Sequence, residues 1–93
     1  MNVLKITKKN IQQFLNTELK FGGNIEFEES MGILSFKSIK ADGDIYAKIG
    51  TGIEAGWGIE AGTGIEAGEG IEAGWGIEAG TGIEAGGGIE AGE

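Results

Sequence analysis

The sequence predicts a mainly β protein, a parallel β-solenoid with an N-terminal α-helical cap. Three observations predict it. From Gly52 onward the chain repeats Gly-Ile-Glu-Ala-Gly-X, so that Ile53, Ile59, Ile65, Ile71, Ile77, Ile83 and Ile89 recur every six positions, each followed by Glu and Ala. A fixed short period denotes one structural unit stacked on copies of itself. Within a hexad, strand alternation sends Ile and Ala to one face and Glu to the other. Finally, Trp57 and Trp75 are three hexads apart, as are Thr63 and Thr81. That spacing favours a three-sided coil of about 18 residues with like corners stacked on like. Thr51 against Glu69 departs from it and keeps a two-sided, twelve-residue coil as the alternative.

The elements follow in order. Residues 1–23 read as the cap. Ile11, Phe14, Leu15 and Leu19 share one helical face over residues 7–20, Thr7 can serve as N-cap, and Gly22-Gly23 is a stop signal. A helix of this length is marginal alone and needs the first coil to dock on. Residues 24–50 read as short strands and degenerate first coils: 24–28, a turn at 29–32, then 33–37. Ile33, Ile39 and Ile45 carry the six-residue period, and a two-residue slip between Ile45 and Ile53 places a small insertion near Ile49. Residues 51–93 are the regular solenoid. Gly-X-Gly makes each corner, where glycine permits positive φ or close approach of the backbone. One hexad cannot bury its Ile, but stacked coils form ladders of Ile, Ala and Glu about 4.8 Å apart. Burying each Ile contributes roughly 1.5–3 kcal/mol, while ordering each residue costs about 1–2 kcal/mol. Only a cooperative stack is stable.

Composition narrows the function. The 93 residues contain no Cys, His or Pro, and 20 are Gly. A disulfide framework, a conventional zinc site and a His-based triad are therefore excluded. The net charge of -8 is unevenly placed: residues 1–48 hold all seven Lys against six carboxylates, whereas nine Glu follow with no basic residue. Direct nucleic-acid binding by the acidic repeat would be repulsive. A basic protein surface is its natural complement. Met1 to Lys20 lacks the long apolar core of a signal peptide, and no segment approaches the roughly 20 apolar residues of a membrane span. The expected location is cytoplasmic, with no cofactor and no membrane partner.

An aliphatic residue at every sixth position resembles the hexapeptide-repeat, left-handed β-helix proteins, over residues 33–93. That resemblance implies a β-solenoid. It implies neither handedness nor acyl transfer, because Ala here stands two positions after Ile rather than four, and the catalytic His of that family's acyltransferases is missing. The Ile-x-Ala units are also similar to small acidic hexad-repeat proteins of phages and mobile elements. This second resemblance implies an inhibitor of CRISPR effectors or other DNA-binding machinery.

The chemistry of the Glu ladder points the same way. Glycoside hydrolysis needs two carboxylates in different environments about 5–9.5 Å apart; equivalent Glu residues supply the distance without the difference. The repeat matches no Ca-binding loop, and Gly86-Gly87-Gly88 lacks the helix a phosphate loop requires. Three Glu per coil would place one charge per roughly 1.6 Å of axis, close to the approximately 1.7 Å of duplex DNA. The sequence therefore predicts a non-catalytic acidic binding protein that mimics nucleic acid. Its expected contact residues are Glu54, Glu60, Glu66, Glu69, Glu72, Glu78, Glu84 and Glu90, with Trp57 and Trp75 as anchors. The alternative is a structural or self-assembling solenoid whose Glu side chains only keep an exposed β-face soluble. The pattern running to Glu93 leaves a ladder edge for end-to-end homodimerisation.

Overall fold

The computed structural model describes residues 2–48 and 50–91. Among the described residues thirteen strands run in chain order: β1 (Asn2–Ile6), β2 (Glu18–Phe21), β3 (Gly23–Phe27), β4 (Gly32–Phe36), β5 (Ser38–Ala41), β6 (Ile45–Ala47), β7 (Thr51–Ala55), β8 (Gly58–Ala61), β9 (Gly64–Ala67), β10 (Gly70–Ala73), β11 (Gly76–Ala79), β12 (Gly82–Ala85) and β13 (Gly88–Ala91). They form three parallel sheets. The first face is β1-β3-β6-β9-β12, the second β4-β7-β10-β13 and the third β2-β5-β8-β11. The chain visits the faces in turn, so each strand pairs with the strand one coil away. This is the three-sided parallel solenoid. Its extents of 32 × 26 × 22 Å make it a stubby prism rather than a long rod.

Registers show how the hexad sets the coil. Ile71 pairs with Ile53 and Ile89, Ile77 with Ile59, and Ile83 with Ile65, so the regular coils are 18 residues long. Earlier coils are longer. Leu34 pairs with Ile53, Ile39 with Ile59 and Ile25 with Ile45, at 19 or 20 residues. The extra residues sit in corners, where added length does not disturb the ladders. Inside runs one apolar core containing Ile25, Phe27, Phe36, Ile39, Ile45, Ile53, Ile59, Ile65 and Ile71 with the intervening Ala residues. Phe27 and Phe36 pack as tilted rings 5.9 Å apart, giving the early coils bulk that Ile and Ala do not supply.

The α-helical cap is not formed: no α-helix occurs among the described residues. Residues 7–17 instead make a compact loop with one 3₁₀ turn over Ile11–Gln13. Asn10 explains the substitution. Its side-chain oxygen accepts the Thr7 N–H at 2.8 Å and its amide donates to the Lys5 carbonyl at 3.0 Å, closing a local turn. Asn16 then takes positive φ and donates its N–H to Ser35 O. From there β2 pairs in register with β5. A marginal helix loses to this sheet pairing. The apolar residues assigned to the helix still face inward, with Ile11 and Leu19 buried and Phe14 and Leu15 packed against the core.

Two further expectations change. Coils start at Asn2, where β1 pairs with β3, rather than within residues 24–50. The phase at Ile33 is also shifted by one residue: Ile33 is 69% exposed, while Leu34 and Phe36 point inward. The insertion near Ile49 lies in the β6–β7 corner, although Ile49 itself, like Glu93, is outside the described residues. Thr51 closes that corner. It is wholly buried, its hydroxyl donates to Glu29 O at 2.7 Å, and it accepts the Met31 N–H at 2.9 Å.

Close approach, not positive φ, explains the glycine after Ala61, Ala73, Ala79 and Ala85. A Cβ on Gly74 would overlap the carbonyl oxygen of Gly56 one coil away. Gly56 itself has nothing within 4 Å of that position, because the coil beneath it turns differently at Lys37.

Candidate interaction faces

Alternation along each strand aims one repeated position per coil at solvent, and the registers align these positions into columns. The second face carries Ser35, Glu54, Glu72 and Glu90. The first carries Lys5, Glu26, Tyr46, Glu66 and Glu84. The third carries Lys20, Lys40, Glu60 and Glu78. Glu69 occupies the corner between the first and second faces, its N–H donating to Thr51 O at 3.1 Å. The eight Glu residues named from the sequence are therefore shared among three faces and one corner. Six of them, Glu54, Glu72, Glu90, Glu66, Glu84 and Glu69, lie on two adjoining faces and the corner that joins them.

On the second face the ladder works against itself. The Glu72 carboxyl is raised above its ordinary 4.5, first by a hydrogen bond with the Glu54 carboxyl and then by the charges of Glu90 and Glu54. Glu54 is held by the Ser35 hydroxyl, which donates to its Oε1 at 3.0 Å. No Lys or Arg follows Lys48 in the chain, so nothing in these coils balances the column. Among the described residues the ion pair is Lys5–Glu28 at 3.9 Å, away from the ladder.

Trp57 and Trp75 stand at the corner between the second and third faces. The Trp75 N–H donates to Trp57 O at 2.6 Å, and the indoles stack with centroids 6.2 Å apart and planes 21° from parallel. They remain 45% and 64% exposed. Stacking orders both rings without burying them, which suits a preformed aromatic contact.

Two features escaped the sequence reading. Lys40 and Tyr46 stand where the repeat has Glu, in Ile39-Lys40-Ala41 and Ile45-Tyr46-Ala47. Those triplets contain the signal that basic and aromatic side chains continue the Glu columns. The second is Asp44, whose Oδ1 accepts the Thr63 hydroxyl and the Gly64 N–H, the latter at 2.9 Å. These bonds, the hydroxyl's first, hold its carboxyl below the ordinary 3.8. Nothing in the hexad pattern announces that clamp.

Among the described residues no group of three or more acidic side chains is arranged to hold a metal ion, and no helix is long and apolar enough to cross a membrane. Comparison with protein-family models, curated proteins and solved structures gave no match.

Proposed function

We propose that this chain is a non-catalytic acidic protein that occupies a nucleic-acid-binding groove on a basic protein, acting as an inhibitor of a DNA- or RNA-binding effector. The observation that carries the reading is the in-register column Glu54-Glu72-Glu90, uncompensated by any basic neighbour in its coils. A column whose central carboxyl is driven toward protonation gains most from an external cation. Glu66, Glu84 and Glu69 extend the negative surface around one corner, and Trp57 and Trp75 border it on the other side.

The coil geometry bounds how much nucleic acid is imitated. Coils of three Glu rising about 4.8 Å match the linear charge of a duplex. They do so for the coil of Glu54, Glu60 and Glu66 and that of Glu72, Glu78 and Glu84, with Glu90 beginning a third. At about 3.4 Å per base pair this corresponds to roughly three to four base pairs. The surface suits a short basic groove rather than an extended track.

The test is affinity capture from a cell extract at low and high salt, comparing wild type with the Glu54, Glu60, Glu66, Glu72 and Glu78→Gln variant. The expected outcome is a basic protein held at low salt, displaced by a duplex oligonucleotide, and lost in a variant that still folds. If nothing basic is retained at low salt, the ladders serve solubility and the proposal fails.

A further inference from the structure

On the third face the column at the repeat's Glu position balances its charge, whereas that of the first face sets one Lys against three Glu and that of the second holds no Lys. The third-face column runs Lys20, Lys40, Glu60, Glu78, two cations followed by two anions, one per coil. All four side chains are exposed, and Lys40 and Glu60 do not pair with each other within the described residues. Beside them runs a second outward column of Ser38, Gly58 and Gly76, which rises no higher than a hydroxyl until the exposed Glu18 continues it beside Lys20. Together they line a shallow groove of about 600 Å³. The adjoining corner stacks Thr17, Lys37, Trp57 and Trp75, linked by N–H···O bonds of 2.9, 2.8 and 2.6 Å.

We propose that this face is an interface with a second copy of this chain, laid antiparallel across a two-fold axis running along the strand direction between Lys40 and Glu60. That operation returns the column onto itself with its order reversed. Lys20 meets Glu78 of the second copy and Lys40 meets its Glu60, twice each by symmetry. The neighbouring corner follows the same rule, bringing Trp57 opposite Lys37 of the second copy, a cation–π pairing. The low Ser38, Gly58 and Gly76 positions let the two sheets approach at the centre of the face. A parallel arrangement, with the axis along the solenoid, sets coils of like sign at the same level and is disfavoured.

The antiparallel order also handles the net charge. Two copies of a chain at -8 repel overall. Laid antiparallel, the acidic coils of one lie beside the nearly neutral first half of the other, and the Glu columns of the first and second faces point away. The interface is small. Four strands about 4.8 Å apart and about 13 Å long cover roughly 250 Å² before side chains are counted, well below the approximately 800 Å² per partner of a standard stable complex. Association is therefore weak, fast and salt-sensitive. Glu60 and Glu78 belong both to this face and to the carboxylates of the proposed partner site, but the dimer is measured on the chain alone, so its failure leaves the partner reading to its own test.

Sedimentation velocity on the full chain at concentrations up to about 1 mM tests it. The expected result is a concentration-dependent dimer at about 0.05 M salt that weakens at least tenfold by about 0.5 M. Lys40→Glu and Glu60→Lys singly should each weaken it about tenfold or more, since each change sets two like-charge contacts in the dimer. The double variant Lys40→Glu/Glu60→Lys restores opposite charges at the same sites and should recover dimerisation. Circular dichroism checks that each variant folds. A chain monomeric at low salt throughout this range overturns the proposal. So does a dimer unaffected by either reversal, which would place contact at the open edges of β11, β12 and β13. A double variant that folds but does not recover also overturns it.

Discussion

The first and last coils of this solenoid are built from different sequences and reach different degrees of burial. In the early coils the corners are long and bonded: Asn10 to Thr7 and Lys5, Thr51 to Glu29 and Met31, Asp44 to Thr63 and Gly64. Their core holds Phe27 and Phe36. The late coils are nearly uniform, yet their burial declines along the stack. Ile53, Ile59, Ile65 and Ile71 are at most 2% exposed, Ile77 and Ile83 are half-buried, and Ile89 is 50% exposed. Identical residues in identical hexads therefore do not contribute equally. What each contributes depends on the coils on either side of it, as a nearest-neighbour stack requires.

The largest expected effect tests that gradient directly. Ile53→Ala removes a side chain enclosed between β4 and β10 and should cost about 2–5 kcal/mol. Ile89→Ala makes the same change where half the side chain already meets water, and should cost less than about 1 kcal/mol. Urea unfolding of both variants measures the difference. Equal losses would mean that the stack does not end where the burial gradient indicates. Because a destabilised terminal coil can open without the rest, hydrogen exchange should show β11–β13 exchanging first in wild type and first by a wider margin in Ile89→Ala.

A smaller contrast concerns the corners. Gly74→Ala drives a methyl into the Gly56 carbonyl, and backbone cannot step aside as a side-chain tip can. The expected loss is about 1–3 kcal/mol. Gly56→Ala, at the same place in its hexad, meets open space at an ordinary φ and should be neutral or stabilising by up to about 1 kcal/mol through the unfolded state. Thermal melts of the pair decide whether the glycine is required by the repeat or only by the coil beneath it. A similar loss in both would show that the corner conformation, not the neighbouring carbonyl, demands glycine.

That pair also shows how much the sequence could disclose. Period and alternation determine which residues face inward, so Ile53, Ala55 and their repeats were legible, as were the outward Glu columns and the eighteen-residue turn. Competition between local and distant bonding is not legible in a periodicity. Thr7 to Lys20 has helical spacing, but Leu19 and Phe21 also have strand spacing, and pairing with β5 decides between them. Ile33 continues a six-residue count, yet the Leu34–Ile53 pairing fixes the register one residue on. The grouping of six carboxylates around one corner, and of Lys20 and Lys40 above Glu60 and Glu78, follows from coil lengths of 18 to 20 residues. Those lengths come from corners whose side-chain bonds carry no repeat.

The smallest expected effect is on pH dependence, and it again sets late coils against early ones. Glu72 binds its proton more tightly in the fold than in the unfolded chain, because Glu54 and Glu90 stand beside it. From its raised folded value down to the ordinary 4.5, the folded chain holds more protons, so stability rises as pH falls through that window. Asp44 has the opposite sign. The Thr63 hydroxyl and Gly64 N–H favour its charged form, so its contribution is present above 3.8 and lost as pH falls through its lower folded value. The contribution of these two groups together should therefore be greatest between 3.8 and 4.5, on the acid side of neutrality. Glu72→Gln should flatten the limb above the peak, and Asp44→Asn the limb below it. Both groups are exposed, so the effect is modest and should shrink as salt is added. Melting temperatures across this range, at two salt concentrations, separate the two limbs. If the upper limb survives Glu72→Gln unchanged, repulsion in the ladder is spread evenly over its carboxylates rather than concentrated at the middle one.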